Sequence, residues 1–128
     1  MSKVFNYDNI PLTELQWAAD LIIHEIPSTG MYEGLVTDKP MVVHVDRDVY
    51  RMPDEVKTIL GKRVRISETN KEFIENVNQF LDSGDFSSLN NPDLEFVKAF
   101  CTHLDDGKSA ERAAEAIFSI VKKCFLIF

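Results

Sequence analysis

The segment "HVDRD" sets His44, Asp46 and Asp48 two residues apart. In an extended strand, side chains at that spacing leave the same face about 7 Å from one to the next. An imidazole beside carboxylates suits a divalent metal or proton transfer, so these three are the candidate residues for metal-dependent hydrolysis, with Glu33 expected opposite them on a preceding strand. The competing reading is structural, because the solvated face of an antiparallel sheet is ordinarily polar and needs no function. His24 and His103 fall near the ends of helical stretches, where an imidazolium is favourable against the helix dipole, and nothing gathers them with His44.

Other catalytic signatures are missing. There is no G-x-S-x-G elbow, Walker-type glycine loop, G-x-G-x-x-G or C-x-x-C, and the five glycines all stand at or near predicted turns. The expectation is a protein that is not an enzyme and needs no cofactor.

Charge suggests a second chemistry. The chain carries 21 acidic and 14 basic residues, a net charge of −7, which disfavours general polyanion binding. Residues 39–71 nevertheless hold eight basic residues against five acidic ones, while the flanks 1–38 and 72–128 each sum to −5. Arg47, Arg51, Lys62, Arg63 and Arg65 are the candidates for a polyanion-binding face, with Tyr50 placed to stack a base. An overall pI near 4.9 and the lack of a known nucleic-acid module weigh against it.

The third candidate is the apolar C-terminal stretch "KKCFLIF". Ala110, Ala113, Ala114, Ile117, Val121, Cys124, Phe125 and Phe128 keep helical spacing, which favours a helix docked in its own core. Phe118, Leu126 and Ile127 lie off that stripe, so the last turns are apolar nearly all round, and a second apolar side is the signature of a partner. Phe118, Phe125, Leu126, Ile127 and Phe128 are therefore the candidate protein-binding residues, for another protein or for a second copy of the chain.

The elements that must position these residues follow from periodicity. "TELQWAADLIIHEI" carries Leu15, Ala18, Ala19, Ile22, Ile23 and Ile26 on one helical face, begins with a Thr13/Gln16 capping-box spacing and a Leu12/Trp17 staple, and is ended by "PSTG". "GLVT" and "MVVHVDRDVY" alternate as strands and read as a hairpin across "DKP". "MPDEVKTILG" predicts a short helix, and "KRVRIS" a third strand with Arg63 and Arg65 facing out. Thr69 and Glu72 open a helix through Leu81, "PDLEFVKAFCTHL" predicts another, and Ser109 caps a last one, antiparallel to it, in which Cys101 and Cys124 are buried free thiols too far apart to bridge.

With 128 residues and 45% hydrophobic composition, these elements predict one α+β domain over residues 1–128. It would have an N-terminal amphipathic helix, a small mainly antiparallel sheet of about three strands, and a C-terminal group of three helices. Two cysteines and a start without an apolar leader predict a cytoplasmic protein, and no apolar run approaches the roughly 20 residues that span a bilayer, which predicts no membrane partner. The functional expectation is a small acidic protein-binding regulator or inhibitor. It would be an accessory factor of the kind bacteria and their phages encode, docking on a host protein, with nucleic-acid binding through the basic centre as the alternative.

Overall fold

A computed structural model describes residues 10–85, 93–101 and 106–125. In chain order the elements are α1 (Leu12–Ala18), β1 (Ile22–His24), α2 (Thr29–Leu35), β2 (Met41–His44), α3 (Asp54–Leu60), β3 (Arg65–Ser67) and α4 (Asn70–Ser83). A π-helical turn at Val97–Cys101 and the long helix α5 (Ser109–Phe125) follow. The three strands form one sheet in the order β1-β2-β3, and both pairings are parallel, with Ile23 beside Val42 and Val43 beside Ile66.

The expected antiparallel sheet is therefore overturned. Residues 29–35, read as turn and strand before a "DKP" hairpin, form α2, and helices carry the chain from each strand to the next. The physical reason lies in β2, where all four residues are buried. A strand covered on both faces reads as an unbroken apolar run, and that is the pattern of a parallel strand beneath helices, not of a half-solvated hairpin. Met41, Val43 and Val45 point to one side, into a core with Met31 and Leu35 of α2, Leu60 of α3, and Phe96 and Val97. Val42 points to the other, against Phe80 of α4, with Phe73, Val77 and Leu21 around it.

The N-terminal amphipathic helix is also shorter than its stripe suggests. α1 ends at Ala18, and Ile22–His24 becomes an edge strand whose Ile22 N–H donates to Pro40 O at 2.9 Å. The run "LIIHEI" satisfies helical and alternating patterns at once, and its β-branched isoleucines settle as strand when β2 offers a ladder. The Thr13/Gln16 capping box does not form. Pro11 is the N-cap, and Gln16 turns inward to donate from Nε2 to Gly30 O at 2.7 Å.

Of the expected group of three C-terminal helices, α4 forms as its spacing predicts. Thr69 Oγ1 accepts from Glu72 N, Glu72 Oε2 accepts from Glu68 N, and Gly84 closes the helix in the left-handed region at φ 63°. The stretch before α5 is described only as a short helical segment around the π-helical turn, and residues 102–105 of the expected hairpin lie outside the described residues. Cys101, expected buried, is exposed, although partial desolvation raises its thiol above the ordinary range.

Candidate functional site

Three surfaces contain the candidate residues, and the first two follow from the parallel sheet. The first is a groove of about 640 Å³ along the free edge of β3, between α3 and α4. Lys62, Arg63 and Arg65 border it, while Arg47 and Arg51 sit exposed beyond the end of β2, so the five basic candidates do not converge on one face. Carboxylates neutralise the two lysines that line it. Lys57 Nζ donates to Glu68, and Lys62 Nζ to Glu95 Oε2 at 2.5 Å, and these hydrogen bonds hold both ammonium groups above their usual range. Arg65 lies 5.9 Å from the centre of the Phe80 ring.

Arg63 corrects the sequence reading most sharply. Expected to face solvent, it is 1% exposed, and its Nη2 donates to Thr37 O at 2.5 Å and Lys39 O at 2.9 Å. It ties the loop before β3 to the loop before β2. Burial pulls its pKa down from the usual arginine range, partly offset by Asp38. An arginine spent on backbone carbonyls in the interior is a structural clamp and is not presented to a phosphate.

The second surface is at the C-terminal ends of the parallel strands, where open α/β sheets place their ligand crevices. A depression of about 210 Å³ there is lined by Glu25, Ile26, His44, Asp46, Val49, Tyr50 and Asn70. His44 is 4% exposed, not solvated as expected, and its ring stacks on Phe73 at 5.1 Å. Its Nδ1 lies 3.0 Å from Ser67 O, and a carbonyl only accepts, so Nδ1 carries a proton. Nε2 faces Asp46 Oδ2 at 4.0 Å. Asp46 in turn accepts the backbone N–H of Asp48 at 2.9 Å, which folds residues 46–50 into a turn in place of continued strand. Asp48 thus leaves the face of His44, Glu33 lies on α2, and among the described residues no three His, Cys, Asp or Glu side chains gather closely enough to hold a metal.

The third surface is α5. No described side chain from Ser109 to Lys122 is buried, and Ile117, Phe118, Ile120 and Val121 are 61, 67, 61 and 43% exposed. Arg112 anchors the start of the helix through Asp106, with Nη1 at 2.8 and 2.9 Å from its two carboxylate oxygens, and that hydrogen bonding holds the Asp106 carboxyl below its ordinary range. The stripe is therefore not covered by the core of the chain, contrary to the docking its continuity favours. Of the candidate binding residues Phe118 is on this open surface. The side chain of Phe125, and Leu126, Ile127 and Phe128 altogether, lie outside the described residues. Ile120 is a member that sequence reasoning passed over, though its spacing from Ile117 could have found it. No family model matches this chain, and no curated protein or solved structure is significantly similar to it.

Proposed function

We propose that this protein is a small, non-catalytic binding regulator or inhibitor that acts through α5. The observation that carries the reading is the exposure of Ile117, Phe118, Ile120 and Val121 on one helix, beside a body that has its own covered core. Contiguous apolar surface of this kind is costly in water and marks interaction sites. Among the described residues the alternative chemistries have less support, since the five basic candidates do not share one face and His44 keeps Asp46 but not Asp48. No helix among the described residues is long and apolar enough to cross a membrane. With two cysteines in 128 residues, the cytoplasm is the compartment we propose.

The test compares wild type with an Ile117→Glu/Val121→Glu variant in pull-down of binding proteins, with nuclease present, alongside circular dichroism. The expected result is a folded variant that has lost nuclease-resistant, stoichiometric binding. Unchanged binding by the variant overturns the role of α5, and unfolding of the variant shows that the stripe belongs to the core.

A further inference from the structure

We propose that the free edge of β3 is a peptide-binding site, which takes an extended segment of another protein as a fourth strand with an acidic side chain set against Arg65. The site uses none of α5, so it stands or falls apart from the role of that helix.

The hydrogen-bond phase of the sheet decides what this edge presents. Ser67 O accepts from Val45 N at 2.8 Å, and Val43 is in register with Ile66. Along a parallel strand, the N–H and C=O of one residue point to one neighbour and those of the next residue point the other way. Arg65 and Ser67 therefore turn their polar groups to β2. Ile66 turns both of its own outward into the groove, where they meet no partner among the described residues. The next outward donor, Glu68 N, already draws an acceptor from that side, Glu72 Oε2 of α4 at 2.9 Å. A carboxylate oxygen thus sits where a carbonyl of an added strand would sit. An edge with its donor and acceptor unpaired is a template for another chain.

The two helical layers shape the slot. α3 lies on the face of Met41 and Val43, and α4 on the face of Val42. The groove between them has the β3 edge as its floor, Gly61 on one wall and Asn76 on the other. Because the edge is recessed between helices, a second copy would bring its own helices into contact before two such edges came within the roughly 4.8 Å of a ladder. The occupant that fits is an extended peptide.

Register assigns the side chains of that peptide, since paired residues of neighbouring strands point to the same face. Arg65 and Ser67 face α4: the Arg65 guanidinium lies 5.9 Å from the centre of the Phe80 ring, and Asn76 Nδ2 donates to Ser67 Oγ at 2.8 Å. Ile66 faces α3 beside Gly61. In either strand direction, the peptide residue beside Ile66 has one neighbour beside Arg65 and one beside Ser67. Arg65 is exposed and has no ion-pair partner among the described residues, whereas Lys57 and Lys62 are each paired with a glutamate. An aspartate or glutamate beside Arg65 answers that charge. The residue beside Ile66 is aliphatic, and the one beside Ser67 runs along the wall that carries Glu72, which disfavours a second acid.

The probe is an array of short acetylated, amidated peptides of threonine with a central valine, in which every residue type is placed in turn on either side of that valine. The labelled full chain should bind best where one flanking residue is Asp or Glu, and which flank it is reports the strand direction. Arg65→Glu, checked for folding by circular dichroism, should weaken binding of the acidic peptide roughly tenfold and turn the preference to Lys or Arg. Methylating the central amide nitrogens of the best peptide one at a time should find one that costs roughly tenfold, because it removes the donor to Ile66 O. An array that binds nothing overturns the proposal, and so does a best peptide that tolerates methylation at every amide. A preference that Arg65→Glu leaves unchanged overturns the acidic assignment. In the free chain the Ile66 amide should exchange rapidly with solvent. Protection that persists at high dilution would mean that the chain covers this edge itself, and protection that grows with concentration would mean that a second copy does; either overturns the proposal.

Discussion

Arg63 and His24 carry the most at the scale of single residues, and neither does so through a reaction. The Arg63 guanidinium joins the carbonyls of Thr37 and Lys39 across two loops, while its Nε and Nη1 are buried without a hydrogen-bond partner among the described residues. We expect Arg63→Ala to cost about 3 kcal/mol in urea unfolding, from two lost charge-assisted hydrogen bonds and the cavity left behind, and Arg63→Met about half of that because most of the volume stays. A methionine variant as stable as wild type would mean that desolvation of the charge cancels its bonds. Half-buried His24 is governed by desolvation, which lowers its pKa from 6.5, and its Nε2 has no hydrogen-bond partner among the described residues. The unfolded chain therefore takes up this proton before the folded one does. The contribution of His24 to stability is complete above pH 6.5 and declines as pH falls from there toward the lower folded-state value. The melting temperature should fall on acidification through this window, and the fall should be shallower in His24→Gln; equal slopes would remove His24 as a cause. The sequence showed the residue types plainly. It could not show their surroundings, because an arginine next to a strand reads as solvated until a neighbouring loop supplies buried carbonyls for it.

Elements are positioned by glycines that act for two different reasons. Gly34 sits in α2 over the sheet, and a Cβ there would come within 2.5 Å of Met41 Cε and 3.4 Å of Gln16 Nε2. Gly34→Ala should destabilise by no more than about 1 kcal/mol, because the obstacle is the flexible end of the Met41 side chain and the better helix propensity of alanine offsets part of the overpacking. Gly84 has nothing near its missing Cβ, but its backbone is left-handed at φ 63°, so Gly84→Ala should cost about 1 kcal/mol through the backbone alone, and Gly84→Asn less. Urea midpoints separate the two mechanisms, since only the Gly34 loss should be relieved by a smaller residue at Met41. Gly34 also shows why the sheet was misread. Read as the first residue of a strand "GLVT" leading to a hairpin at "DKP", Gly34 instead lets a helix approach a parallel strand. α4 was legible because its cap residues and its stripe, Phe73, Val77 and Phe80, agree; β1 was not, because three consecutive apolar residues fit either period.

At the scale of the whole molecule, the parallel sheet and its two covering layers form one unit, and α5 adds a long surface that this unit does not cover. The continuity of its apolar stripe was visible in the sequence, but the same stripe serves a helix buried at home and one buried against a neighbour, and only the position of the body decides between them. That position makes a quantitative prediction. A chain ended at Gly107 keeps every buried core residue of the sheet and its two layers, so its thermal unfolding should stay close to that of the full chain at high dilution. Pairing of α5 with a second copy would show as a melting temperature of the full chain that rises with concentration, by mass action, while that of the truncated chain stays flat. A full chain whose melting temperature is independent of concentration, yet well above that of the truncated one, would instead mean that α5 stabilises its own body, and would return the apolar stripe to the core.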